Sequence, residues 1–522
     1  MLLQHISKVF SVKNCFLCRI SYNLRPRKNW SDETPFMKDL SLIRNPRRTF
    51  GLTMHHSKYV NVDKTKVLLQ KCIDNAMVFD KNSHQSILVS TATIQGFCDH
   101  YQNLDAEKRK MVLLHLSNEY GVQHQKVAQS CESFMLNIKA ERKDATLLQA
   151  EERLRFQLQP LYNHLFVLIG RLDGGVKFLT DLRGDTIKFA IQPTCSSEEG
   201  RKLRDLSGHL KSTLSLWFSV GLLNLTRVTW ESSADILEKV AKQEAVHQVR
   251  NWVDLKHRLG VNRRCFSFYH SSMPREPLIL LHVALTDDIT REITDIVDYS
   301  RKPPESCEAI TSKTTAIFYS ITSTQPGLQG IEFGVHIIRA VVQELCQALP
   351  NLSQFSSLSP IPRFRHWLMG QISQALKDET ALLTHEEMTS LKQFFNVDGD
   401  QESMEHLQSV LQDKIWMKDD ATCNVLRSPL VRLCAHYLHH VKYRGYAFDP
   451  VANFHLRNGA VVWRINWLAD PSVKGFQQSF GLMVNYRYYL QEMEGNSRDY
   501  IVEKQVHASS KVTELSGTRC HL

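Results

Sequence analysis

"KTTAIFYSITSTQPGLQGIEFGVHIIRAVVQEL", residues 313–345, changes character in its middle. Its first third is rich in β-branched and aromatic residues, as a buried strand is, and its last third spaces apolar residues as an amphipathic helix does. Gly327, Gly330 and Gly334 fall in between. A strand that turns through glycines straight into a helix leaves the first helical N–H groups unpaired and pointing outward. Those groups and the helix dipole favour a phosphate or another anionic oxygen, and the glycines let it approach the main chain. The pattern is neither a Walker loop nor a G-x-G-x-x-G fingerprint. Taken alone, it leaves both an anion site and a plain strand-to-helix turn open.

On either side of this unit the texture differs. Residues from about 64 to 218 read as helices: 104–122, stopping at Gly121; 131–175, with a break at Pro160 and a stop at Gly174-Gly175; and 197–223. These stretches hold no clustered metal ligands and no nucleophile–base pair, which favours a packing or oligomerisation role. After Trp217, strands are expected at 223–230, 263–271, 276–286 and 313–322 and in "AVVWRINWLA", interleaved with helices at 233–246, 331–350 and 363–381. "PNLSQFSSLSPIP" reads as a mobile connection. The fold class is therefore α+β, an N-terminal all-α region followed by a mixed α/β domain.

Bulk properties narrow the function. The net charge of +10 is concentrated in residues 1–60, which hold eleven Lys/Arg and three Asp/Glu; the rest of the 522-residue chain carries only +2 and offers no nucleic-acid surface. Residues 1–31 contain six Lys/Arg, no acid and interleaved apolar residues, the pattern of an organelle transit peptide, and Met54 is an alternative start that omits it. No apolar run approaches the ~18 residues of a membrane span. Twelve scattered cysteines fit a reducing compartment, and the lone C-x-x-C, Cys15–Cys18, has no second pair for a metal. The terminal Cys520-His521-Leu522 is a degenerate form of the small–basic–leucine peroxisomal address.

Two side chains stand out. In "FSSLSPIPRFRHWLMG" (355–370), Ser359 before Pro360 reads as a helix cap, a place where its hydroxyl can also meet an anionic group. No G-x-S-x-G elbow surrounds it, so a triad nucleophile is disfavoured. In "DPVANFHLRNGAVVWRINWLAD" (449–470), His455 sits between Phe454 and Leu456, either as a satisfied core histidine or as a donor aimed into a dry pocket at a strand end. His436, His439 and His440 imitate a zinc site but lack a fourth ligand, and read as helix-packing residues.

"GLQGIEFG", "FSSLSPIPRF", "LRSPLVRLCAHYL", "RGYAFDPVANFHLRNGAVVWRINWLAD" and "GLMVNYRYYL" together resemble the malonyl-CoA decarboxylase family, from near residue 67 to about 490. After the leader read from composition (1–54), the resemblance implies a helical domain (55–218) that assembles homotetramers and a catalytic domain (219–522) with the GCN5-related N-acetyltransferase (GNAT) fold. It assigns the coenzyme A loop to Gln329, Gly330, Ile331, Glu332, Phe333, Gly334 and Val335, and the catalytic pair to Ser359 and His455. Malonyl-CoA would lose carbon dioxide to give acetyl-CoA through a thioester enolate. The two residues would hold the carboxylate out of the thioester plane, and His455 would supply the proton. The thioester is the electron sink, so no cofactor and no metal is expected. The expected role is control of malonyl-CoA levels, and so of fatty acid oxidation and synthesis. The expected location is the mitochondrial matrix, with peroxisome and cytoplasm as further sites and an import receptor as partner of the C-terminal tripeptide. A family cysteine that forms an interchain disulfide after "RVTW" has no counterpart in "RVTWESSADIL". An acyl-CoA acyltransferase, which would need an acidic amine cleft, and a non-catalytic CoA-binding scaffold are the alternative readings.

Overall fold

The computed structural model describes residues 62–79, 86–298, 312–331 and 333–517. The expected leader with Cys15, Cys18 and Met54, and the terminal Cys520-His521-Leu522, lie outside the described residues. Among those described, eight helices precede the sheet: α1 (Val62–Phe79), α2 (Ser86–Gln102), α3 (Ala106–Glu119), α4 (His124–Lys139), α5 (Asp144–Gln157), α6 (Tyr162–Gly170), α7 (Gly175–Ala190) and α8 (Ser197–Trp217). Helix α8 shows why they form. Ser196 and Glu199 make a reciprocal capping box, and Leu203, Leu206, Leu210 and Leu214 bury one stripe. The stretch 131–175 breaks at Pro160 as expected, and also earlier, at 140–143, where Glu141 adopts φ +48°. No Gly or Pro marks that second break. The pairing of α4 with α5 as a hairpin overrides good helix formers.

The β-rich half builds one eight-stranded sheet. Strands β1 (Leu223–Val228), β2 (Arg263–His270), β3 (Ile279–Thr286) and β4 (Thr315–Ser323) run antiparallel in sequence order. Strand β4 then pairs in parallel with β5 (Gln354–Ser357). The chain continues through Leu358 into β6 (Ser359–Pro360), and both β5 and β6 pair with the antiparallel β10 (Met483–Tyr488). A small hairpin, β7 (Lys442–Tyr443) and β8 (Tyr446–Ala447), stands apart, and β9 (Val461–Asn466) pairs with β10. The parallel pair is joined by a turn at Pro326–Leu328 and a long helix over Gly334–Ala348. This is the α+β class expected, with its strand–loop–helix unit at the centre of the sheet.

Two expectations are corrected here. "PNLSQFSSLSPIP" is not a mobile connection, since Ser356 and Ser357 are fully buried mid-sheet. Nor does Ser359 cap a helix: it pairs with Val484 in β6, and the next helix starts only at Phe364. A serine-proline pair is a local signal, and the unpaired edge of β10 claims it instead. Among the described residues no helix is long and apolar enough to cross a membrane.

The described residues belong to one compact unit, and a continuous apolar core runs through the helices and the sheet. Phe218, just after α8, meets Phe333 edge to face at 5.9 Å between centroids. Gly327 rests directly on α7, where an added Cβ would lie 1.7 Å from the Thr180 carbonyl oxygen. Gly327→Ala is therefore expected to destabilise the protein by on the order of 2 kcal/mol or more. Gly208→Ala, in α8 with nothing within 4 Å of its Cβ, should be neutral or stabilising by up to ~1 kcal/mol. Thermal denaturation of the two variants checks this; equal melting temperatures would contradict the packing of the loop on α7.

Candidate active site

The ladder between β4 and β5 ends at Phe318 and Ser357, although β4 runs on to Ser323. At the same point β4 carries an extra residue against β3: His282 pairs with Ser320 and Val283 with Phe318, so Tyr319 forms a bulge. Past it the strands part, and a cavity of about 520 Å³ opens between β4, β6, the glycine loop and the helix that carries His455. Ser320, Gly330, Phe333, Ser359 and His455 are among its lining residues, and no carboxylate is among the described ones.

His455 belongs to a short helix, Pro450–Arg457, rather than to the expected strand end. The sequence signal for that helix is Asp449-Pro450. Asp449 accepts hydrogen bonds from the Val451 and Ala452 N–H groups, and Pro450 occupies the first helical position. Burial pushes the Asp449 carboxyl up to about 6 against those two bonds. The imidazole is 3% exposed and stacks on Tyr486 at 4.5 Å. On the other side Gly334 must be glycine, because a Cβ there would lie 2.1 Å from the Phe454 ring. The start of the Gly334–Ala348 helix and the histidine helix are thus locked together.

Ser359 Oγ and His455 Nε2 lie 2.9 Å apart across 96 residues of sequence. On the far side of the ring, Nδ1 is 2.6 Å from the Tyr488 hydroxyl. Burial holds the Tyr488 phenol well above its usual pKa, so it is protonated. Among the described residues Nδ1 is its acceptor. This assigns the imidazole tautomer: Nδ1 accepts from Tyr488, and Nε2–H donates to Ser359 Oγ. The serine hydroxyl in turn donates to Ser357 Oγ at 2.8 Å, which also accepts the Tyr486 N–H at 3.2 Å. Burial without a paired carboxylate lowers the His455 pKa to about 3, which keeps the ring neutral. In a hydrolase triad the serine donates to histidine; here the polarity is reversed, and nothing activates Ser359 as a nucleophile.

The structure thus brings Ser359, His455, Gly330, Ile331, Phe333 and Gly334 to one cavity. Gln329 instead turns its carbonyl to Arg183. Glu332 and the Val335 side chain lie outside the described residues. Among the described residues no side chain caps the helix at Gly334, so its N-terminus faces the cavity without a protein acceptor from its capping residue, Phe333. Tyr488, Tyr486 and Ser357 were missed in the sequence, although alternation in "NYRYYL" puts Tyr486 and Tyr488 on one face of β10. His436, His439 and His440 close the helix Asp420–His440; His436 stacks on Trp367, and His439 Nδ1 meets Ser516 Oγ at 2.8 Å.

The neutral histidine has a consequence for stability. The unfolded chain protonates this side chain below pH ~6.5, whereas the folded one does so only near pH 3. The unfolded state therefore binds more protons in that window, and stability falls as pH is lowered through it. Buried His247, lowered to about 4, adds a parallel slope that is common to any His455 variant. Melting temperatures of the parent and His455→Asn between pH 7 and pH 4 should shift steadily in favour of the variant as the pH falls. A constant difference would mean that the imidazole is not held neutral.

Comparison with known proteins gives the family of the chain. Residues 221–520 match the malonyl-CoA decarboxylase C-terminal domain family, and residues 120–218 match the malonyl-CoA decarboxylase N-terminal domain family. The mitochondrial malonyl-CoA decarboxylase of Anser anser anser is 46% identical over 420 residues, covering 80% of this chain and 81% of that protein. That of Rattus norvegicus is 46% identical over 422 residues, covering 80% and 84%. The crystal structure of malonyl-CoA decarboxylase from Rhodopseudomonas palustris superposes with a TM-score of 0.73 at 30% identity, over 87% of this chain and 99% of that one.

Proposed function

Since this chain belongs to the malonyl-CoA decarboxylase family, we propose that it converts malonyl-CoA to acetyl-CoA and carbon dioxide in the cavity between β4 and β6. The single observation that carries the site assignment is the buried, oriented chain from Tyr488 through His455 to Ser359. Malonyl-CoA decarboxylates when its carboxylate is turned out of the thioester plane, so that the breaking C–C bond feeds electrons into the carbonyl. To hold the carboxylate there, the Ser359 hydroxyl turns from Ser357 and the His455 Nε2–H turns from Ser359, and both donate to it. The thioester enolate then takes a proton at its methylene carbon, from His455, and solvent returns one proton per turnover. A neutral imidazole suits this work, because a charged one would stabilise the departing carboxylate more than the uncharged product. The described cavity lining has no carboxylate and includes Arg457, which suits an anionic substrate and gives no acidic cleft for the amine of a transferase.

In cells the reaction sets malonyl-CoA levels, and so fatty acid oxidation and synthesis. The relatives, which are mitochondrial enzymes by name, support a mitochondrial address, with residues 1–54 as the leader; the terminal tripeptide would add a peroxisomal one. Helices 55–218 would also assemble the homotetramer. The α4–α5 hairpin supports this, since Met135, Leu136, Ile138 and Leu148 are all exposed on it. Leu136→Glu with Leu148→Glu is expected to lower the mass measured by light scattering; an unchanged mass would place the interface elsewhere.

Release of labelled carbon dioxide from carboxyl-labelled malonyl-CoA tests the reaction. Ser359→Ala and His455→Asn are each expected to lower kcat by roughly 10²–10³-fold with KM within a few-fold. A parent that binds coenzyme A and releases nothing would refute the decarboxylase. Release that survives both substitutions would refute the site.

A further inference from the structure

The loop between β4 and the Gly334–Ala348 helix is built by the helical region as much as by the sheet. Arg183 of α7, 4% exposed, donates to three carbonyls: Gly327 at 2.5 Å, Gln329 at 2.9 Å and, in α8, Ser207 at 3.1 Å. Its described partners are all carbonyls, so its charge is not neutralised locally, and a guanidinium keeps that charge at neutral pH. Two of those carbonyls belong to the loop and are tied back toward α7. Their negative ends are thereby held away from the cavity side.

On the cavity side Gly330 takes φ +79° and lines the wall. A Cβ placed there would be 3.3 Å from Nζ of Lys211, an exposed residue of α8. The buried guanidinium, this ammonium and the start of the Gly334–Ala348 helix, which no side chain among the described residues caps, all raise the potential around Gly330. The pantetheine arm of a coenzyme A thioester carries no charge and has no use for this. Its phosphates do.

We infer that Lys211 contacts a phosphate oxygen of the coenzyme's nucleotide half and that Arg183 is the positioning residue for the loop, so that the helical region forms part of the substrate site. This rests on the coenzyme A reading above. Arg183 touches no substrate. It acts by fixing the loop carbonyls, and Lys211 supplies the contact.

The test uses the full chain and coenzyme A itself, titrated by calorimetry. Lys211→Ala should raise the Kd for coenzyme A roughly tenfold, as loss of one charge-assisted contact does, and Lys211→Arg should recover most of it. With malonyl-pantetheine, which lacks the phosphates, kcat/KM should be the same for the parent and Lys211→Ala. Arg183→Lys, which keeps the charge and loses the fork, should raise KM for malonyl-CoA with kcat little changed. An unchanged Kd in Lys211→Ala, or an equal loss with malonyl-pantetheine, overturns the phosphate contact. A fall in kcat at constant KM in Arg183→Lys overturns the positioning role. A parent that releases carbon dioxide but binds coenzyme A independently of Lys211 refutes this inference alone. Lys211-dependent binding without carbon dioxide release refutes only the decarboxylase.

Discussion

The parting of β4 from β5 after Phe318 is the constraint on which the rest depends. Inside a sheet, backbone groups are normally paired, and a strand that runs on past its neighbour leaves main-chain donors and acceptors to be satisfied in another way. Here the parting coincides with the bulge at Tyr319 and with the turn of the next chain segment, through Leu358, into β6. The gap becomes a cavity walled by two strands and closed by helices.

Placing the reacting groups then follows from packing. The histidine helix is started by Asp449 and Pro450 and pinned to the glycine loop by the contact of Gly334 with Phe454. That contact couples the loop proposed to hold the coenzyme to the group proposed to move the proton, so a shift of one is felt by the other. The imidazole is held by Tyr486 on its face and by hydrogen bonds at both nitrogens. With no carboxylate on Nδ1, its charge state is decided by burial, and its direction of donation by a Tyr488 hydroxyl whose proton has no other acceptor among the described residues.

The N-terminal helices are more than a separate packing unit. Arg183 and Thr180 of α7 shape the turn that precedes the Gly334–Ala348 helix, and a continuous core joins the two regions. A helical region that braces the loop explains why glycine is required at 327: the backbone itself is the contact surface.

Much of the architecture was legible in the sequence, because it is written at short range. The change of period within residues 313–345, the apolar stripe of α8 and the β-rich runs of β2 and β3 each depend on neighbours a few residues away. The phrases around Ser359 and His455 carried the family resemblance, and with it the two site residues. The break between α4 and α5, the strand at Ser359 and the helix at His455 were misread or missed. In the first the packing of two neighbouring helices, and in the second a strand more than a hundred residues away, overrode the local preference, and in the third the signal lies in Asp449-Pro450. What only the tertiary structure decided is the proximity of two side chains 96 residues apart, the Tyr488 bond that sets the imidazole tautomer, and the grip of Arg183 on a loop 144 residues away. Local pattern determines which elements form. Strand register and the packing of one element on another determine which side chains meet, and no short window of sequence contains that information.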